Sequence, residues 1–329
     1  MRMCKLGRSG PSVSALGLGC MGMSWSYGDS DERQNVAVIH RAIALGVNFF
    51  DTAELYANGA NERLLGSAIK GRRDQVIIAT KFGLRLDDKG AVLPAYGRPV
   101  DLKAACDRSL TNLGIDCIDL YYQHRVDPKV PIEDTVGAMA DLVKAGKVKH
   151  LGLSEAGAAT IRRAAKVHPI AALQSEYSLW SRDPEGAILD ACRENGVSFV
   201  AYSPVGRGLL AGAVSTMSDL KTPNDKRGLM PRFAEANLAQ NTALVARLAD
   251  FARRKNATVA QLALAWLLTR GPDIIPIPGT RKVERLEENI GAAEVVLSPA
   301  DLADIDRICS PAEVAGARYA PAGLAAVNL

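Results

Sequence analysis

The chain has 329 residues, 48% of them hydrophobic and 23% charged, ordinary proportions for a globular protein and enough length to bury a large core. Forty lysines and arginines against 36 acids leave a net charge of +4, too mild and too evenly spread to imply nucleic acid as a partner. Six scattered cysteines with no CxxC pair read as reduced thiols; with no signal-like or membrane-length apolar run, a cytoplasmic protein without a membrane partner is expected.

Short apolar runs alternate with helix-period segments along the whole chain. Residues 4–6 and 13–16 flank a Gly-Arg-Ser-Gly-Pro turn and predict a hairpin that caps one end of the fold. Strands are then expected at 16–19, 47–51, 76–81, 118–123, 148–153, 172–174, 199–202 and 274–276. Helices are expected between them at 31–45, 61–70, 101–113, 132–145, 158–167, 186–195, 242–255 and 259–269, several stopped by a glycine such as Gly46, Gly71, Gly114 or Gly146. Eight strand–helix units in succession predict a parallel sheet closed into a (β/α)8 TIM barrel, with residues 1–329 as one domain. Two long connections, 82–100 and 206–240, read as binding loops. The Ala/Gly/Pro-rich tail after Cys309 reads as irregular chain crossing the barrel mouth.

Active groups of such a barrel hang from the C-terminal ends of its strands. Those ends carry Asp51 with Tyr56 just beyond it, then Lys81, Gln123-His124, Ser154-Glu155, Gln174 and Tyr202-Ser203. Lys81 closes the run Val-Ile-Ile-Ala-Thr and should point into a confined space, where desolvation lowers its pKa and Asp51 holds it ionised. A phenol beside that cation, at Tyr56, should be pulled down in pKa and so suit proton donation near neutral pH, with His124 as a second donor to a carbonyl oxygen. Each residue alone has a bland reading: a solvated lysine, a capping aspartate, a structural histidine. Four of them on three successive strand ends favour a proton-donating site with no metal. A metal-dependent alternative would need clustered ligands, and only His124 qualifies.

The chain resembles the aldo-keto reductase superfamily. The matching segments are 17–23 (GLGCMGM), 48–56 (NFFDTAELY), 79–83 (ATKFG), 121–125 (YYQHR), 151–155 (LGLSE), 173–178 (LQSEYS), 201–210 (AYSPVGRGLL) and 277–280 (IPGT). They are most similar to the bacterial and plant branch typified by perakine reductase and the inositol-operon reductases. The resemblance implies hydride transfer between a nicotinamide cofactor and a small-molecule carbonyl or alcohol. In it Tyr56 is the general acid, Lys81 its partner, Asp51 the partner of Lys81, and His124 the group that orients the carbonyl. Ser154 and Gln174 would hold the nicotinamide carboxamide, Tyr202 would stack on the ring, and Met21 and Gly22 would approach through their backbone. The cofactor set extends to Ser203, Pro204, Gly206, Arg207 and Gly208, and to Gly279, Thr280, Arg281, Arg285, Glu288 and Asn289. Thr280 and Arg281 suit a 2′-phosphate, which favours NADPH over NADH. Glu155 departs from the asparagine that many members carry. Trp25 and Tyr27 are the expected walls of the substrate pocket, with Phe82, Arg125, Trp180 and Met230 as weaker candidates. The alternative reading is a cofactor-binding regulatory subunit resembling the potassium-channel β subunits.

Overall fold

The computed structural model describes residues 1–220, 222 and 224–329. Lys221 and Pro223, in the second long connection, lie outside them. The hairpin consists of β1 (Met3–Lys5) and β2 (Ser12–Ser14), paired antiparallel. Eight further strands follow: β3 (Leu18–Gly19), β4 (Phe49–Asp51), β5 (Ile77–Phe82), β6 (Ile118–Gln123), β7 (Val148–Ser154), β8 (Ile170–Glu176), β9 (Ser198–Tyr202) and β10 (Ile274–Pro276). They lie side by side in chain order in one parallel sheet. Its two edges meet. The Gly17 N–H donates to Pro276 O at 2.9 Å and that of Gly19 to Pro278 O at 3.3 Å. A Cβ on Gly17 would lie 2.8 Å from the Phe49 ring and 2.9 Å from Ile277, so glycine is what lets the seam close. The result is the expected barrel.

The helices between strands are α1 (Glu32–Ala44), α2 (Ala60–Ala68), α3 (Pro99–Leu113), α4 (Ile132–Lys144), α5 (Ala158–Val167), α6 (Ala187–Asn195), α7 (Glu235–Arg254) and α8 (Val259–Leu268). After β10 come α9 (Val283–Gly291) and α10 (Pro299–Ile308). Their starts follow capping chemistry: Asp31 accepts from the N–H groups of Arg33 and Gln34, and Thr258 with Gln261 forms a reciprocal capping box. Two differences from expectation stand out. Helix α7 begins at Glu235 rather than 242, so the connection before it is shorter and contains four 3-10 turns. Helix α10 was not anticipated, although Ser298-Pro299-Ala300-Asp301 carries a capping box and a proline at its start. Among the described residues no helix is long and apolar enough to cross a membrane.

Strand side chains alternate between two cores. Phe50, Ile78, Tyr121, Leu151, Leu153, Leu173 and Phe199 face outward against the helices. Phe49, Ala79, Leu120, Tyr122, Ala172, Val200 and Ile275 fill the barrel interior together with Leu6, Val13 and Ala15 from the hairpin region. The hairpin plugs the bottom: the Gly7 N–H donates to Ser198 Oγ at 2.7 Å and that of Ser14 to Asn48 Oδ1 at 2.7 Å. Two residues further along each strand the interior becomes polar. Phe49 is followed by Asp51, Ala79 by Lys81, Tyr122 by His124, Gly152 by Ser154, Ala172 by Gln174 and Val200 by Tyr202. The period of the strand thus delivers the strand-end residues to one layer at the barrel mouth.

Candidate active site

Lys81 is fully buried at the top of β5. Its Nζ donates to Asp51 Oδ1 at 2.5 Å, to Thr52 O at 2.8 Å and to Tyr56 Oη at 3.2 Å, so all three ammonium hydrogens have an acceptor. Gln174 Nε2 donates to the other Asp51 oxygen at 2.7 Å, fixing the carboxylate from the far side of the barrel. The Tyr56 ring stands edge-on to His124, with centroids 5.8 Å apart, and stacks on Trp25 at 5.8 Å. The four predicted groups therefore converge.

The loop carrying Tyr56 is held by its own sequence. Residues 57–59 all take left-handed backbone angles (φ of 51°, 46° and 79°), a tight reversal in which asparagine and glycine are the easy occupants. Buried Glu54 accepts from Arg108 Nε and Tyr96 Oη, both at 2.7 Å. Thr52 Oγ1 donates to Asn61 Oδ1 at 2.7 Å, and the amide of Asn61 reaches Cys20 O at 2.8 Å and Ser24 Oγ at 2.7 Å. This network joins the loop after β4 to the loop after β3, which bears Trp25.

Electrostatics follow from burial. Desolvation lowers the Lys81 pKa against the pull of Asp51, and raises that of Asp51 against the pull of Lys81. His124 is driven well below its ordinary value, first by burial and then by the charges of Lys81 and Arg125, so its imidazole is neutral at neutral pH. Tyr56 corrects an expectation: burial and the Asp51 charge push its phenol well above the ordinary value, with Arg125 opposing them. The phenol is held protonated rather than poised to ionise.

The cofactor candidates form an arc round the same mouth. Met21 and Gly22 lie in a 3-10 turn after β3, and a Cβ on Gly22 would sit 2.9 Å from Tyr27. Ser154 and Gln174 end β7 and enter the top of β8. Tyr202, Ser203 and Pro204 follow β9, and Ser203, Gly206, Arg207 and Gly208 all have positive φ. Arg207 is buried, with Nη2 donating to Glu176 Oε2 at 2.5 Å. Beyond β10, Gly279, Thr280 and Arg281 lead into α9, which carries Arg285, Glu288 and Asn289. Arg281 Nη1 donates to the carbonyls of Gly28 and Asp29 at 3.3 and 2.5 Å, and Arg285 to Glu288 at 2.7 Å. Of the weaker pocket candidates, Phe82 and Trp180 are buried in the main hydrophobic cluster, and Met230 packs against it.

Sequence reasoning missed the partners of Glu155. Its carboxylate takes a two-pronged bond from Arg318 at 2.8 and 2.9 Å, and accepts from Tyr202 Oη at 2.8 Å and the Glu176 N–H at 3.0 Å. Tyr319 lies 2.7 Å from Tyr202 Oη; since the Tyr202 hydrogen goes to Glu155, Tyr319 is the donor. A carboxylate at a buried strand end was the available signal, because such a charge demands a cation.

A model of the Aldo/keto reductase family matches residues 15–310. The chain belongs to that family. Among solved structures, glycerol dehydrogenase from Gluconobacter oxydans aligns with a TM-score of 0.84 and 27% identity over 94% of this chain and 96% of that one. A thermostable aldo-keto reductase solved with the inhibitor epalrestat aligns at 0.75 and 31% identity over 94% and 100%. An aldo-keto reductase from Klebsiella pneumoniae, in complex with NADPH, aligns at 0.73 and 29% over 94% and 96%. As an aldo-keto reductase the chain is an oxidoreductase acting on carbonyl or alcohol groups.

Proposed function

We propose that residues 1–329 form one barrel domain that reduces aldehydes or ketones to alcohols with NADPH, and runs the reverse oxidation with the same groups. The observation that carries this reading is the Lys81 ammonium bonded at once to Asp51 and to the Tyr56 hydroxyl, with His124 beside the phenol. Tyr56 Oη holds the proton that a developing alkoxide needs. Lys81 donates to that oxygen and stabilises it as the proton leaves, while Asp51, gripped by Gln174, keeps Lys81 charged in spite of burial. Neutral His124 supplies a fixed donor to the carbonyl oxygen, a preorganised dipole where negative charge develops.

The donor set fits a phosphorylated nicotinamide cofactor, which when bound would supply the hydride. Thr280, Arg281 and Arg285 gather at the start of α9, where helix polarity favours an anion, and the NADPH complex of the Klebsiella relative supports this choice over NADH. Ser154 and Gln174 would hold the carboxamide and Tyr202 the ring face, with Trp25 and Tyr27 as pocket walls. Following absorbance with NADPH and NADH across aldehydes, ketones and secondary alcohols tests the reading. Turnover favouring NADPH is expected. Tight cofactor retention without turnover of any substrate would favour a regulatory role instead.

A further inference from the structure

The barrel mouth holds more positive charge than its carboxylates take up. Glu176 accepts from Arg207 at 2.5 Å and from Arg232 at 3.2 Å. Glu155 is committed to Arg318, Tyr202 and a backbone N–H. Arg125 is a fourth arginine there, half-buried next to His124, and among the described residues it forms no ion pair. Its side-chain bonds come from one nitrogen: Nη1 donates to His124 O at 2.6 Å and to Ser154 Oγ at 3.3 Å. A guanidinium has five N–H donors, and those on Nε and Nη2 have no acceptor among the described residues. Its bond to the carbonyl of His124 sets Arg125 beside the reacting groups, and its charge acts on Tyr56, Lys81 and His124 as well as on Glu155. Glu155 attracts Arg125 through space but is bonded to Arg318 instead, so a directly bonded counter-ion for this half-withdrawn cation would come from a ligand.

We propose that Arg125 anchors an acidic group of the substrate, so that the carbonyl compound reduced here carries a carboxylate close to its C=O. This rests on the reductase reading above. The cofactor phosphates are served elsewhere: β6 and β10 stand four places apart in an eight-stranded ring, so Arg125 and the cations at 281 and 285 lie on opposite sides of the mouth. A single unpaired cation with a planar fork matches a monoanionic carboxylate, whereas a phosphate dianion would call for more charge. The aromatic walls of Trp25 and Tyr27 suit the remainder of such a molecule.

Carboxybenzaldehyde isomers compared with the matching formylbenzamides give the test, because each pair differs only in the charge. Wild type should prefer at least one acid to its amide in kcat/KM. Arg125→Ala should lower that preference by about 10- to 100-fold, and Arg125→Lys, which keeps the charge but loses the fork, should fall between. Equal turnover of acids and amides by wild type, or a preference unchanged in Arg125→Ala, would overturn the proposal. Benzoate and benzamide binding, followed by tryptophan fluorescence, judges the subsite independently of turnover. Benzoate binding lost in Arg125→Ala supports it, and no preference for benzoate in wild type refutes it. Benzoate bound at Arg125 in a protein that reduces no aldehyde would leave the subsite standing and remove the reductase reading alone.

Discussion

At the scale of single residues, burial sets the protonation states on which the proposed chemistry depends. Tyr56 stays protonated above its ordinary range and His124 stays neutral below its own. The reductive kcat/KM should therefore be flat between about pH 6 and 9, where free histidine would otherwise titrate; a pH–rate profile with an inflection near 6.5 that disappears in His124→Asn would contradict this. The same shift has a consequence for folding. The folded-state pKa of His124 is depressed, so below its unfolded value of about 6.5 the unfolded chain binds a proton that the folded chain refuses, and stability falls as pH falls. Between pH 7.5 and 5.5 urea titrations should show wild type losing roughly 1 kcal/mol more than His124→Asn. The identity of these residues was legible from strand ends, but the direction of the Tyr56 shift was not. Proximity to Lys81 is visible in a sequence pattern; the depth of burial that outweighs it, and the added push from Asp51, are not.

At the scale of elements, the C-terminal tail acts as a strut for the mouth. Asn328 N donates to Glu155 O and Gly157 N to Leu329 O, both at 2.8 Å, while Arg318 neutralises a carboxylate that has no other cation bonded to it. Glu155 itself sits at φ 54°, a strained setting for a non-glycine residue that the surrounding bonds must maintain. Arg318→Ala would leave this charge buried and unpaired, and should destabilise the fold by about 3–5 kcal/mol in chemical denaturation. Adding Glu155→Gln should recover part of the loss, since the two residues are directly coupled; additive effects would show that the pair is not a unit. The tail's course across the mouth could be anticipated from its composition, yet its partner could not, because 163 residues separate Arg318 from Glu155. Helix α10 escaped for a different reason: its capping box lies beyond the last barrel unit, where no strand follows to frame it.

For the whole molecule, the alternation of short apolar runs and glycine-stopped helices was enough to predict a barrel, because eight equal units have few other ways to bury both faces of a parallel sheet. Closure depends on a detail below that pattern, the narrow seam at Gly17 and Gly19. Gly17→Ala places a methyl group against Phe49 and Ile277, and should destabilise the protein by roughly 1–3 kcal/mol through overpacking, measurable as a lowered thermal midpoint. An unchanged midpoint would mean that the seam is looser than its contacts indicate. The barrel's rigidity is also what holds a carboxylate, an ammonium, a phenol and an imidazole from three strand ends in register.

Steady-state reduction of an aldehyde by Tyr56→Phe, at saturating NADPH and with cofactor binding checked by fluorescence, tests that arrangement most directly. Removing one hydroxyl should lower turnover by about 10²- to 10⁴-fold while the cofactor still binds. A variant that binds NADPH and turns over at the wild-type rate would show that the proton comes from somewhere else.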